Sequence, residues 1–124
     1  MLALHEEPRL DGSVALRVRG VVDDDTVEEF ERTVASALDA EPTDLVLDLS
    51  ACRLDSAGLA ALVRMQRRLR GRSAFTKLVT TDIDLLRLLQ IVGLMSGVHV
   101  YASLDAALHS TRLDNRQLAG VGAS

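Results

Sequence analysis

The chain has 124 residues, of which 48% are hydrophobic and 26% charged, and these values are typical of one globular domain rather than of a disordered chain. The net charge of −4 and the aromatic content of 2% argue against nucleic-acid binding, which favours a basic surface and aromatic stacking platforms. A single cysteine, Cys52, excludes an intrachain disulfide, and no apolar segment has the length of a signal peptide or a membrane span, so we expect a cytoplasmic protein without membrane insertion.

The first third of the chain predicts two strands and a helix. Residues 2–7 can form a short edge strand, and the apolar–polar alternation within residues 14–19 is typical of a half-buried strand, which Gly20 ends. Residues 23–26, three aspartates and a threonine, are expected to open a helix, because acidic side chains in a first turn complement its partial positive charge. Pro42 stops this helix, whose apolar stripe consists of Val27, Phe30, Val34, Ala37 and Leu38.

The rest of the chain alternates strands with helices. Ser103 is the expected N-cap of the last helix, and Gly93 is the expected C-cap of the one before it. From about residue 113 the pattern fades into small residues, which indicates a flexible C-terminal tail. The predicted strands are 44–49 (running through residue 52 into a loop at 53–55), 74–79 and 98–101, and the predicted helices are 56–71, 82–92 and 104–109.

This order of elements predicts the fold class. Strands that alternate with helices at this spacing pair mostly in parallel and carry the helices on the sheet. The first two strands can pair as a hairpin, so the sheet is expected to be mixed. We therefore predict a single α/β domain with a mixed, mostly parallel sheet of four to five strands packed against about four helices.

The segment that carries most functional information is the loop between the strand at residues 44–49 and the helix that begins near Ser56. Either Asp55 or Ser56 would be the N-cap, and in both cases free backbone N–H groups and the positive end of the helix dipole lie here. A phosphate on Ser56 would be supported by the helix N-terminus and repelled by Asp55. If a partner docks on this surface, phosphorylation should disrupt the docking.

Helical spacing assigns the two sides of this helix. The small residues Ala57, Gly58 and Ala60 leave room for close approach by a partner, and Arg64 and Arg67 could meet acidic partner residues. The side expected to face the sheet carries Leu59, Leu62, Val63, Gln66 and Leu69, and the opposite side carries Ala60, Arg64, Arg67 and Arg68.

Other interpretations of these residues stay open. Ser56 could be a plain N-cap serine, Asp55 could be only a turn residue, and the arginine-rich end of the helix could be a solvated face. The aspartates at residues 23–25 could suggest a metal or receiver-type phospho-acceptor site, but Asp48 and Lys77 are poorly placed for a receiver domain. The histidines have no metal-ligand spacing, and no catalytic set is present, so we expect no metal and no cofactor.

A resemblance to a known family rests on the same loop. Residues 45–50 followed by Asp55-Ser56-Ala57-Gly58-Leu59 resemble the STAS family, and within it the anti-sigma-factor antagonists, in which a strand ending in D-L-S precedes D-S-[STA]-G-L at a helix start. Residues 85–94 and 103–108 are similar to two later segments of the family pattern. The resemblance implies a STAS domain over residues 1–112, with the tail at 113–124.

The resemblance implies a binding module rather than an enzyme. In this family an unphosphorylated antagonist binds an anti-sigma factor, typically a serine kinase, and frees the sigma factor; the kinase then phosphorylates the serine that corresponds to Ser56, and a phosphatase, expected to be of the PP2C type, resets the switch. Self-association stays open. The alternative is a STAS subunit of a lipid-transport-type ABC ATPase complex, which needs no phosphorylation.

The sequence also departs from the family pattern. Gly20-Val21 replaces a frequent G-E pair, Arg53 occupies a position that is often aromatic, and Ala57 replaces a Ser or Thr. These differences leave the expected fold intact, but they leave the subgroup and the partner open.

Overall fold

The computed structural model describes residues 2–70, 75–91 and 98–109, and these form one α/β domain. Within these ranges, no helix combines the length and the apolar character that a membrane crossing requires. The predicted order of elements is confirmed, while the expected Gly93 cap and the tail at 113–124 lie outside the described residues. The strands are β1 (Leu2–Pro8), β2 (Val14–Val22), β3 (Asp44–Leu54), β4 (Phe75–Val79) and β5 (Val98–Tyr101), and the helices are α1 (Val27–Asp39), α2 (Ser56–Arg70), α3 (Ile83–Ile91) and α4 (Leu104–His109).

The five strands form one sheet in the order β1-β2-β3-β4-β5. β1 pairs antiparallel with β2, and every later neighbour is parallel, from β2·β3 to β4·β5. The mixed, mostly parallel sheet predicted from the sequence is therefore confirmed.

Side chains on the two faces of the sheet make separate cores. On the first face, alternate residues of β2 and β3 meet Phe30 of α1 and Leu62 of α2, which are each 1% exposed. On the second face, Ala107 of α4 packs on Ala15, Val46 and Val79. The buried strand residues of the first core include Leu16, Val18, Val22, Leu45, Leu47 and Leu49.

Two strands are longer than the sequence predicted, and the extension positions the loop before α2. β2 runs through Gly20 to Val22, and β3 runs to Leu54, because Val22 and Leu54 are partners at the end of a parallel ladder. Gly20 has a φ of 107°, which glycine tolerates, so it changes the backbone direction without ending the strand. β4 ends opposite Asp48, so the last part of β3 projects beyond β4.

The acidic run at residues 23–25 lies in a turn before α1 and not in its first helical turn, which corrects the sequence prediction. The Asp23 Oδ1 accepts hydrogen bonds from the backbone N–H of Asp25 (3.0 Å) and of Thr26 (3.2 Å). The Thr26 hydroxyl in turn donates to the carbonyl of Val21 at 2.7 Å. Asp23 is thus used to fold the turn, since an Asp side chain readily bonds backbone N–H groups two and three residues ahead.

A buried lysine fastens α4 to the second face of the sheet. Lys77 of β4 is 3% exposed, its Nζ donates to the carbonyl of Ala107 at 3.2 Å, and the same Nζ lies 3.7 Å from Asp44 Oδ2. His99 of β5 is the strand partner of Lys77. Burial, and then the positive charge of Lys77, lower the pKa of His99, while Asp44 acts in the opposite direction.

This arrangement predicts that acid destabilises the fold through His99. The folded state holds the His99 pKa below the ordinary value of 6.5, so the unfolded chain binds more protons as the pH falls below that value. Stability should be fully present above that value and should decline as the pH falls through the lowered pKa. Urea unfolding between about pH 5 and pH 8 should show this slope, and His99→Gln should flatten it. The matched control is His5→Gln, on the exposed side of β1; an equal flattening there would contradict the assignment to His99.

Candidate functional site

The loop that precedes α2 is anchored to β2 and is closed by Asp55. The Asp55 N–H donates to the carbonyl of Val22 at 3.2 Å. Its Oδ1 accepts hydrogen bonds from the N–H of Ala57 (2.9 Å) and of Gly58 (3.1 Å), and its carbonyl accepts from Leu59 N–H at 2.9 Å. Asp55 is therefore the N-cap, which resolves the choice between Asp55 and Ser56 that the sequence left open.

Ser56 is the first helical residue of α2, and its side chain is exposed. Because Asp55 caps the helix, the Ser56 hydroxyl is not needed for capping, and it makes no hydrogen bond to another residue within the described part of the chain. The fold therefore presents this hydroxyl to solvent at a helix N-terminus.

Gly58 differs from its neighbours because it is buried. A Cβ at this position would lie 2.9 Å from the carbonyl oxygen of Val22 and 2.9 Å from Leu54 Cδ2, closer than side chains normally approach. The partner contact predicted for Gly58 stays a prediction, and the burial of this residue adds a packing role: it lets the start of α2 sit against the ends of β2 and β3. It thereby fixes the position of Ser56.

The packing of Gly58 also sets the rotation of α2. After Gly58, the buried side chains in the described part of this helix are Ala61, Leu62, Met65 and Gln66, and the first three of them lie three, four and seven positions after Gly58. Leu62 and Gln66 were predicted on this side correctly. Leu59 and Val63 are only partly buried, and the side chain of Leu69 lies outside the described residues.

The opposite side of α2 is exposed, as the helical spacing predicted. Ala60, Arg64 and Arg67 are solvent-accessible, and Ala57 is half-buried. Arg64 bonds Glu31 of α1, with 3.3 Å between Arg64 Nε and Glu31 Oε2, and this hydrogen bond raises the pKa of the Arg64 guanidinium. Because both side chains are exposed, this pair orients Arg64 more than it stabilises the fold. Among the described residues, Arg67 forms no ion pair, so its charge is available to a partner.

The structure adds to the site the acidic turn at residues 23–25, which the sequence predicted as a helix start. Val22 and Leu54 are paired at the ends of β2 and β3, so the turn that follows Val22 lies beside Asp55. Asp24 and Asp25 are exposed there. We call Asp24, Asp25, Asp55 and Ser56 the strand-end surface. Within the described residues, no three His, Cys, Asp or Glu side chains are grouped so as to hold a metal ion.

Comparisons with known proteins agree with this geometry. A family model described as the STAS domain matches residues 5–107. The fold is similar to an anti-sigma factor antagonist from Mycobacterium paratuberculosis, which is 28% identical with a TM-score of 0.75 over 87% of this chain and 92% of that one.

Two solved forms of one more distant protein show the same fold. The anti-sigma factor antagonist SpoIIAA in its unphosphorylated form is 18% identical, with a TM-score of 0.69 over 86% of this chain and 94% of that one. The Bacillus cell fate determinant SpoIIAA in its phosphorylated form is 20% identical, with a TM-score of 0.68 over 86% and 96%. No curated protein sequence matches the chain significantly.

The cap assignment predicts different effects for two substitutions of Asp55. Asp55→Ala should lower the free energy of unfolding by about 0.5–2 kcal/mol, because the N–H groups of Ala57 and Gly58 lose their acceptor. Asp55→Asn keeps an acceptor oxygen and should remain close to wild type. Chemical denaturation measures both, and an equal loss in the two variants would show that the charge of Asp55 matters rather than the cap.

The packing of Gly58 predicts the sign of a second effect. Replacing Gly by Ala normally stabilises a helix by about 1 kcal/mol, but Gly58→Ala should destabilise the protein, because overpacking against Val22 and Leu54 costs about 1–3 kcal/mol. The matched control on the exposed side of the helix is Ala60→Ser, expected within about 0.5 kcal/mol of wild type. A more stable Gly58→Ala protein in urea unfolding would refute the close approach.

Proposed function

This chain belongs to the STAS domain family, and we propose that it acts as an anti-sigma-factor antagonist whose binding is switched off by phosphorylation of Ser56. The observation that carries the proposal is an exposed serine at the first position of α2 whose hydroxyl is not used by the fold. The similarity to the Mycobacterium paratuberculosis anti-sigma factor antagonist, at 28% identity over most of both chains, supports the class of partner.

In the proposed active state the unphosphorylated protein docks on an anti-sigma factor and so releases a sigma factor. The small side chains of Ser56, Ala57 and Ala60 would let the partner backbone come close. Arg67, and Arg64 held beside Glu31, would face acidic residues of the partner. Asp55 would contribute by fixing the loop, since its carboxylate bonds the start of the helix.

Phosphorylation would act through charge. A phosphoserine carries nearly two negative charges, and a helix N-terminus usually stabilises such a group through its backbone N–H groups. Here the N–H groups of Ala57 and Gly58 already donate to Asp55, and two exposed acids of the neighbouring turn add repulsion. The new charge would therefore remain hydrated. A docking partner would have to displace this water and bury a charge that the nearby acids already repel, which costs binding free energy.

The proposal includes the two enzymes that would set the phosphorylation state. The anti-sigma factor would itself be a serine kinase that transfers the terminal phosphoryl group of ATP to the Ser56 hydroxyl. A PP2C-type phosphatase would hydrolyse the phosphoserine and restore binding. The alternative, a STAS subunit of a lipid-transport-type ABC ATPase complex, has no specific observation in its favour among the described residues.

The proposal predicts that only one of two substitutions at Ser56 weakens binding to the cognate anti-sigma factor. Ser56→Ala should bind like wild type, since the hydroxyl has no structural role, and Ser56→Asp should bind at least about tenfold more weakly, which corresponds to about 1.4 kcal/mol. Isothermal titration calorimetry measures both. Ser36→Asp, which makes the same substitution on the exposed surface of α1, is the control and should leave the affinity unchanged.

Two results would count against the switch. Equal affinity of wild type, Ser56→Ala and Ser56→Asp would reject it while leaving family membership intact. Mass spectrometry after incubation with the anti-sigma factor and ATP should find phosphate on Ser56, and phosphate on another hydroxyl in the Ser56→Ala protein would move the switch elsewhere.

A further inference from the structure

The second face of the sheet is only partly covered by a helix. α4 contacts β3, β4 and β5, where its Leu104, Ala107 and Leu108 meet apolar side chains. On the β1–β2 side of the same face, Ala3, His5 and neighbouring arginines are exposed. This uncovered region lies on the side of the sheet opposite to α2.

The exposed region carries a row of basic side chains from three strands. Arg17 and Arg19 alternate with buried Val18 on β2, and Arg17 is paired with His5 of β1. Arg53 of β3 is paired with Val21, two positions after Arg19, and so continues the row on the same face. Within the described residues none of these three arginines forms an ion pair. We call His5, Arg17, Arg19 and Arg53 the basic sheet face.

Two shallow clefts adjoin Arg17 and Arg19. On the β1 side, the first cleft is lined by these arginines together with Ala3, Leu4 and His5. On the β3 side, the second cleft is lined by the same arginines together with Val18, Asp48, Ser50 and Ala51. The two arginines therefore form a ridge with a recess on each side. Ala3 lines the first recess, and Ser50 and Ala51 line the second, and these small side chains leave room for an extended polypeptide.

Within the described residues, the acids on this face form no ion pair with the arginines. Asp48 lies opposite Arg17, but its Oδ1 accepts hydrogen bonds from the N–H of Ser50 at 3.0 Å and from the Ser50 hydroxyl at 2.6 Å. Glu7 lies two residues after His5 on β1 and is paired with Ala15, which packs against Ala107 of α4, so it is not the strand partner of an arginine. Arg19 is paired with Ala51 and Arg53 with Val21, so only Arg17 has an acid as its strand partner on β3. The face therefore carries an excess of positive charge on a chain of net charge −4.

We propose that the basic sheet face is a second docking surface, separate from Ser56, which binds an acidic segment of a partner protein. Charge complementarity favours this occupant, because a guanidinium group can donate two parallel hydrogen bonds to one carboxylate. Arg17 and Arg19 provide two such groups two residues apart on one strand.

Other occupants fit the surface less well. The C-terminal segment 110–124 contains Arg112 and Arg116 and a single acid, Asp114, so it lacks the required charge. A nucleic acid favours aromatic side chains on which its bases stack, and the basic sheet face has no Phe, Trp or Tyr among its four residues. This inference does not depend on the function proposed for Ser56.

A fluorescent peptide of ten glutamates tests the surface with the full chain. Fluorescence anisotropy should detect binding at about 20 mM salt that weakens strongly at about 200 mM, because exposed charges are then screened. Arg17→Ser/Arg19→Ser should reduce the affinity by about tenfold or more. The control Arg32→Ser/Arg87→Ser makes the same charge change on the exposed surfaces of α1 and α3 and should bind like wild type.

Each alternative outcome has a distinct meaning. The proposal is overturned if the peptide does not bind at low salt, or if the control variant loses as much affinity as Arg17→Ser/Arg19→Ser. It is also overturned if the peptide changes the NMR chemical shifts of α2 residues and not those of β1–β3. Analytical ultracentrifugation tests a different occupant, a second copy of the chain. If the wild-type protein self-associates and Arg17→Ser/Arg19→Ser abolishes this while the control variant does not, the acidic segment is the wrong occupant and the face binds a second copy. Should the double variant unfold, Arg19→Ser alone provides the same comparison.

Discussion

The close approach between the start of α2 and the end of β2 determines the geometry of the candidate site. The carbonyl of Val22 accepts the Asp55 N–H at 3.2 Å and leaves no space for a side chain at Gly58. With these two contacts fixed, the Asp55 carboxylate faces the first free N–H groups of the helix, and Ser56 points to solvent. The exposure of Ser56 is therefore a consequence of backbone packing and not of its own chemistry.

The same cap determines how the helix N-terminus would act on the phosphate proposed for Ser56. A helix N-terminus stabilises an anion when its N–H groups are free to donate. Asp55 already occupies two of these donors and adds a negative charge of its own. A phosphate on Ser56 would then keep most of its charge and hydration at the surface. An acidic N-cap would thus make the proposed modification more repulsive to a docking partner than an uncharged N-cap would.

Local sequence patterns predicted the elements, their order and the exposed side of α2, because each depends on spacing within one segment. They could not choose between Asp55 and Ser56 as the N-cap, since both residue types cap helices well. They ended β2 at Gly20, whereas the strand continues because its last residues pair with β3. The Arg64–Glu31 pair and the acidic turn beside Asp55 also join segments that are distant in the chain, so periodicity carried no signal for them.

The charges of the domain are distributed unevenly, and this separates its two candidate surfaces. The strand-end surface gathers exposed acids at the carboxyl ends of β2 and β3, while the basic sheet face lies on the opposite side from α2. Exposed charges act over about 8 Å at physiological ionic strength, so a phosphate on Ser56 would influence the basic sheet face mainly through its nearest member, Arg53. Arg17 and Arg19, farther back along β2, would keep their charge available. Because Arg17 and Arg19 lie on a face of the sheet and Ser56 lies beyond the strand ends, the two proposals together allow a partner released from one surface to remain bound at the other.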